Sequence, residues 1–205
     1  FIAIAAGDNS SFGLKADGTL WAWGRNFLAG FGATGQLGDQ TGTSKSSPVS
    51  VAGNHSFIEV SAATYSTIAR KNDGTLWGWG LNNAGDVGDN TSISRSSPVS
   101  VVGNHSVVEI SSGFRTNYAR KNDGSVWGWG QPYWGEIGDY ANTGRHSPVA
   151  VVGNHSFVAI SAQYGTCFGR KADGSVWAWG KGSSGELGNF AATSKSSPVA
   201  VAGTV

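Results

Sequence analysis

Asp17-Gly18-Thr19-Leu20-Trp21-Ala22-Trp23-Gly24 is the stretch on which the reading of this chain turns. It returns with small changes at Asp73 to Gly80, Asp123 to Gly130 and Asp173 to Gly180. Each copy opens with a tight-turn dipeptide, because Asp and Gly tolerate positive φ, and runs on into a strand. The tryptophans of a copy stand two residues apart, as in Trp77 and Trp79. On a strand that spacing puts both indoles on one face. Apart from Trp134, every tryptophan of the chain lies in these copies. The largest side chain, placed alike each time, marks four copies of one packing unit.

Alignment on the tryptophan strands divides the chain into units at 1–56, 57–106, 107–156 and 157–205. The first carries an insertion between Asn26 and Gly35. A period of about 50 residues is in the range of propeller blades, in which each unit supplies about four strands. The second unit shows them at 57–61, 66–71, 75–80 and 98–102. Asp73-Gly74 joins the middle pair as a hairpin, and Pro98 heads the last strand, where a missing N–H is tolerated. Pro48, Pro148 and Pro198 repeat that position. No helical period is sustained. The expected fold is an all-β propeller of four blades, each of four antiparallel strands.

Composition narrows the function classes. Of 205 residues, 32 are Gly and 13% are charged, and the net charge is +1. No bulk field invites nucleic acid or an anionic membrane. A lone Cys167 leaves no intrachain disulfide and no cysteine-based zinc site. No apolar run approaches the length of a membrane span. The chain opens without a signal peptide or initiator Met on the strand-like Phe1 to Ala5, and reads as a mature or excised piece of something longer.

Ala6-Gly7, Ser10-Ser11, Asp17-Gly18, Trp177 to Gly180, Gly185 to Gly188 and Ser197 to Val199 together resemble the regulator of chromosome condensation repeat. The resemblance covers all four units and implies a β-propeller. Two departures stand out. Ser10, Ser66, Thr116 and Thr166 hold a position where the family usually has His, and the family's ring usually has more blades than this chain supplies. The Trp-x-Trp-Gly and Ser-Ser-Pro-Val style looks more like bacterial and phage-type repeats. From the nuclear branch the resemblance implies a guanine-nucleotide exchange factor for a small GTPase. From a propeller-type β-lactamase inhibitor built on related repeats, it implies a protein inhibitor.

Comparison of the four units with each other separates scaffold from variable positions. The Asp-Gly turns, the tryptophan pairs, Gly35, Gly85, Gly135 and Gly185, and the Pro-Val starts do not change. Gly-Asn-His-Ser recurs at 53–56, 103–106 and 153–156. Variation falls between the first and second strands, after the tryptophan strand, and before the fourth strand. In an antiparallel meander, successive connections alternate between the two ends of the sheet. All variable sets then share one end, and the invariant links share the other. The variable loops carry Phe27, Phe31, Tyr65, Phe114, Arg115, Tyr133, Trp134, Tyr140, Tyr164 and Phe190. Aromatics and Arg dominate recognition hot spots, so these ten are the expected ligand-binding residues.

Little in the sequence points to catalysis. Gly30 to Gly35 spells the dinucleotide fingerprint, but no helix follows to hold a pyrophosphate, and it reads as a flexible insertion. Gln36, Asp86, Glu136 and Glu186 share one repeat position and read as solvated loop groups rather than a cation-binding girdle. Asp39, Asp89 and Asp139 are expected to accept hydrogen bonds from nearby N–H groups. His55, His105 and His155 would meet at a metal only on the ring axis. Two basic sets, Lys45, Arg95, Arg145, Lys195 and Lys15, Lys71, Lys121, Lys171, read as a solvated rim. Cys167 reads as a small strand residue. Asn9, Asn54, Asn90, Asn104 and Asn154 lie in glycosylation sequons, which matter only in a eukaryotic secretory route.

The expected function is therefore a non-enzymatic recognition or adhesion module without cofactor or metal. The expected setting is extracellular or on a virion, on an appendage of phage-fibre or decoration type. The expected partner is a glycan or surface protein, with no nucleic acid and no membrane insertion. The alternative is an exchange-factor-like or inhibitor propeller acting by protein–protein binding. An open arc of four blades would expose two apolar sheets. Self-closure, pairing with a second chain, or further blades of a longer polypeptide would each cover them.

Overall fold

A computed structural model describes residues 1–103 and 106–203. Four four-stranded antiparallel sheets follow one another along the chain. The first is Ala3–Ala6, Ser10–Leu14, Leu20–Gly24 and Lys45–Ser50. The second is Phe57–Ala62, Ser66–Lys71, Leu76–Gly80 and Arg95–Ser100. The third is Val107–Ser112, Thr116–Lys121, Val126–Gly130 and Arg145–Ala150. The fourth is Ala159–Gln163, Thr166–Arg170, Val176–Gly180 and Lys195–Ala200. Each is a meander in sequence order, the arrangement of propeller blades. No helix of the described residues is long and apolar enough to cross a membrane.

The local causes are the turn and the pleat. At the Asp73-Gly74 hairpin, Gly74 has φ +78, the Lys71 and Thr75 backbones pair across it at 3.0 Å, and the Thr75 N–H donates to the Asp73 carboxylate at 2.9 Å. Across the hairpin each indole lies opposite a small side chain. Trp79 pairs with Thr67, Trp129 with Asn117, and Trp179 with Cys167. The buried thiol of Cys167 is thus the small residue that leaves room for Trp179.

The core is three seams between neighbouring sheets rather than one centre. Phe12, Leu14 and Leu20 of the first sheet and Leu37 of its loop pack on Phe57 and Trp79 of the second. Ile68, Leu76 and Val101 pack on Val107, Ile110 and Trp129. Tyr118 and Val126 pack on Phe157, Ile160 and Trp179. Trp79, Trp129 and Trp179 lie over Gly38, Gly88 and Gly138 of the preceding unit, where a Cβ would come within 2.8, 2.7 and 2.9 Å of the indole nitrogen. The Trp79 Nε1–H donates to the Gln36 carbonyl at 2.9 Å.

Several expectations are corrected at this level. The fourth strand begins at Arg95, three residues before Pro98, and the register shifts between Arg95 and Val99. The strand lies at the sheet edge and Pro98 falls inside that shift, where it has no ladder partner, so its missing N–H is tolerated. The insertion in the first unit, expected as a flexible loop, carries a short hairpin of Phe27–Leu28 and Gly32–Ala33; as expected, no helix follows Gly30 to Gly35.

The bases and acids are also less free than expected. Lys15, Lys71, Lys121 and Lys171 lie over Trp21, Trp77, Trp127 and Trp177 at 4.2 to 4.6 Å from the ring centres. Lys45, Arg95 and Arg145 pair with Asp39, Asp89 and Asp139. Those three carboxylates accept the N–H of Thr41, Thr91 and Ala141 at 3.1 Å, as expected. Gln36, Asp86 and Glu136 are buried rather than solvated. His55 and His155 lie tilted against Trp77 and Trp177 at 4.1 and 4.2 Å, where burial, and then the nearby Lys71 and Lys171, hold their pKa below the ordinary imidazole value. His105 and Asn104 lie outside the described residues. Among the described residues no group of three potential ligands could hold a metal ion.

A candidate recognition surface of five rings

The connections between first and second strands are stitched from sheet to sheet. The Thr64 N–H donates to the Phe114 carbonyl at 3.2 Å, and the Phe114 N–H donates to the Tyr164 carbonyl at 2.7 Å. The chain leaving each tryptophan strand is tied to the same loops. Leu81, Gln131 and Lys181 donate their N–H groups to the carbonyls of Tyr65, Arg115 and Gly165 at 2.8, 2.9 and 2.7 Å. Two of the variable sets therefore share one end, as the meander requires. At the opposite end, Gly18 and Gly124 approach Ser56 and Ser156 of the invariant links.

This stitching brings five aromatic side chains from three units into one group. Phe114 is its hub, 6.2 Å from Tyr65, 6.2 Å from Tyr133 and 5.2 Å from Tyr164. Trp134 joins Tyr133 at 5.7 Å and Tyr164 at 6.0 Å. Tyr133 is 46% exposed and Tyr164 56%, while Tyr65, Phe114 and Trp134 are half-buried. Trp134 packs against Gly165, whose absent Cβ would come within 2.7 Å of the indole ring. Lys181 stands over both Trp134 and Tyr164, at 5.7 and 5.8 Å. Phe114 and Tyr164 also border a groove of about 410 Å³ where the first strands of the sheets converge, lined further by Asp8, Thr64, Ser111 and Ser112.

Two buried acids hold the group in place. The Glu136 carboxylate accepts the N–H of Tyr133 at 2.8 Å and of Trp134 at 2.6 Å. Burial pushes its pKa above the ordinary carboxylate value, against the pull of the Trp134, Glu136 and Tyr133 N–H groups. Asp86 receives Arg115 in a two-point fork, from Nε at 2.9 Å and Nη2 at 2.8 Å, and Nη2 also donates to Asn83. Burial works against the guanidinium charge, but the Asp86 contacts outweigh it and raise the Arg115 pKa.

The ten sequence-predicted residues thus separate. Tyr65, Phe114, Tyr133, Trp134 and Tyr164 form the group. Arg115 lies among them, with its guanidinium committed to Asp86 and Asn83. Among the described residues no ring contact joins Phe27, Phe31, Tyr140 or Phe190 to the group. Phe27 and Phe31 are exposed on the inserted hairpin, Phe27 under Arg25 at 4.7 Å. Tyr140 and Phe190 are exposed at positions of positive φ.

Asn26 and Asn82 were missed, because they fall inside variable stretches. Both are fully buried. Asn82 donates to Asp89, Thr91 and Ile93 and accepts the Val87 N–H at 2.8 Å; Asn26 repeats this with Asp39, Thr41, Thr43 and Leu37. The signal was present as Asn two residues after Trp-x-Trp-Gly in both units, but Pro132 and Gly182 replace it in the others.

The regulator of chromosome condensation (RCC1) repeat matches residues 73–119 and 173–205, and a second form of that repeat matches 1–29. No curated protein matches the chain. Among solved structures, Prp20p from Saccharomyces cerevisiae is similar at 18% identity and a TM-score of 0.83, over 98% of this chain and 50% of that one. Yeast RCC1 (Prp20) bound to Kap60 matches at 19% identity and 0.81, over 98% and 48%. Human WBSCR16 matches at 18% and 0.81, over 96% and 50%. The chain spans about half the length of these structures. Repeat match, sheet topology and structural likeness agree, and the chain belongs to the RCC1-repeat β-propeller family.

Proposed function

We propose that this chain is a non-catalytic protein-recognition module, and that its partner docks on the ring group of Tyr65, Phe114, Tyr133, Trp134 and Tyr164. The observation that carries this reading is the convergence of five half-exposed rings from three units at one end of the sheets. Exposed aromatic clusters are uncommon on a solitary surface, and aromatic anchors ringed by polar groups are the usual centre of a protein interface. The similar structures fit such a role: one is described with its binding to Gsp1p and histones, another bound to Kap60.

The test is a photo-crosslinking residue placed at Tyr164, and separately at Asp73 on the opposite end, in cells or particles that carry the protein. A discrete protein adduct is expected from position 164 and none from 73. Equal adducts from both positions would count against the reading. So would a partner that still binds when Tyr65, Phe114, Trp134 and Tyr164 are all Ser in a folded chain.

Membership of the RCC1-repeat family favours a second reading, exchange-factor-like action on a small GTPase. Catalysed release of a fluorescent guanine nucleotide would distinguish it from passive binding. A finer form of the binding reading sets the module on a virion or cell-surface appendage and puts a glycan in place of the protein partner. It draws support from the low charge and from rings able to stack on sugars, and a glycan array blank against the folded chain would remove it.

A further inference from the structure

Four of the five rings close into a cycle. Phe114 meets Tyr164 at 5.2 Å, Tyr164 meets Trp134 at 6.0 Å, Trp134 meets Tyr133 at 5.7 Å, and Tyr133 returns to Phe114 at 6.2 Å. All four contacts are tilted, by 31 to 53°, rather than stacked. Among the described residues no ring contact crosses the cycle, from Phe114 to Trp134 or from Tyr133 to Tyr164. Sides of this length keep a group at the middle within about 6 Å of every ring centre, the reach of attraction between a cation and an aromatic face. Tyr133 and Tyr164 are exposed, so the cycle opens to solvent. It is complete within the third and fourth units, and neither end of the chain takes part in it.

The charges beside the cycle point to the class of ligand. The chain brings a cation of its own to these faces, since Lys181 Nζ lies 5.7 Å from the Trp134 ring centre and 5.8 Å from that of Tyr164. Glu186 holds the same ammonium at 3.2 Å and neutralises it. Asp86 neutralises Arg115 in the same way. Glu136, whose carboxylate accepts the Tyr133 and Trp134 N–H groups, has no ion-pair partner among the described residues. Acids therefore outnumber bases beside the rings, and the surplus charge is negative. Aromatic faces carry the negative part of the ring quadrupole, so field and faces favour a guest of the same sign. A bare ammonium is strongly hydrated and needs acceptors that a lining of rings supplies poorly. Methylation keeps the charge, removes the donors and covers the nitrogen with apolar surface.

We infer that the cycle of Phe114, Tyr133, Trp134 and Tyr164 is an aromatic cage for a methylated ammonium, presented as a methylated lysine side chain of the protein partner. The inference rests on the reading of the ring group as a protein-recognition surface, and it names what that partner places there. Lys181 competes for the same faces and is held aside by Glu186.

The experiment is a calorimetric titration of the folded 205-residue chain with trimethyllysine capped at both ends, beside the neutral analogue in which carbon replaces the ammonium nitrogen. The cation is expected to bind on the order of 10-fold more tightly than the neutral analogue. Tyr164→Leu and Trp134→Leu keep apolar bulk but remove a ring, and each should abolish most of that preference. Lys181→Met should tighten binding of the cation and leave the neutral analogue unaffected, which a merely structural lysine would not do. It also decides the question if the ring variants fail to fold. Equal affinity for the two probes, no binding of either, or a preference that survives both ring variants would overturn the cage. Phosphocholine bound more tightly than the trimethyllysine probe would overturn lysine as the source. A crosslinking residue at Tyr65, outside the cycle, separates this inference from the reading beneath it. A protein adduct from position 65 with probes that do not discriminate would remove the cage and leave the recognition surface. A cation preference without any protein adduct would remove the protein partner, and lysine with it.

Discussion

At the scale of single residues, stability rests on large side chains seated on absent ones. Trp129 is fully buried against Gly88, opposite Asn117. Trp129→Ala should cost about 3–5 kcal/mol in urea unfolding, the range for emptying a large aromatic site. Tyr164→Ser, at an exposed ring, should stay within about 0.5 kcal/mol. Asp86 and Arg115 make a different kind of pin. Arg115→Met leaves a carboxylate buried without its cation and should cost about 3–5 kcal/mol, whereas adding Asp86→Asn should recover much of that loss. A double variant no more stable than the single one would show that the fork is not what fixes the loop.

At the scale of elements, the loops between third and fourth strands are built around a buried amide and a carboxylate. Asn82→Ala would strip the Val87 N–H of its acceptor inside the protein and should cost about 1–3 kcal/mol. Asp39 and Asp89 add a pH signature. Burial raises their pKa, but it is outweighed at Asp39 by Thr41, Asn26 and Lys45, and at Asp89 by Thr91, Arg95 and Asn82, so both end below the usual carboxylate value. A lowered carboxylate contributes stability that is present above the unfolded pKa and lost as pH falls through the folded one. Acid unfolding should therefore steepen below the usual carboxylate value, and Thr41→Ala with Thr91→Ala should soften it. Glu136 works in the opposite sense. Its pKa is raised, so its ionised form is disfavoured by burial at neutral pH, and its contribution to stability improves as pH falls through that raised value. Glu136→Gln should leave strand content unchanged while speeding hydrogen exchange at the Tyr133 and Trp134 amides.

At the scale of the whole molecule, a net charge of +1 and a patch of rings argue for contact by burial rather than by steering. Partner binding through the five rings should change little between low and high salt, and a steep salt dependence would point to another surface. Much of the architecture was legible from residues alone. The period of the Trp-x-Trp-Gly copies, the Asp-Gly hairpins and the meander order are local statements about turn chemistry and a two-residue pleat, and they hold in the structure. The strand around Pro98 was less legible, because an edge strand tolerates proline at an interior shift of register as well as at its start. The site was legible in part. That Tyr65, Phe114 and Tyr164 lie at the same end as Tyr133 and Trp134 follows from the alternation of connections. Which of them touch does not, since the distances between rings depend on how far each sheet turns from its neighbour. Closure of their own loops reserved Asn26 and Asn82 for the scaffold, and the fork to Asp86 of the preceding unit reserved Arg115, although variation between units had marked their stretches as free. By itself the sequence determined the repeating unit, because turns and pleats are decided within a few residues. Only the tertiary structure decided which variable residues meet, because those contacts join separate loops and, from Tyr65 through Phe114 to Tyr164, neighbouring units.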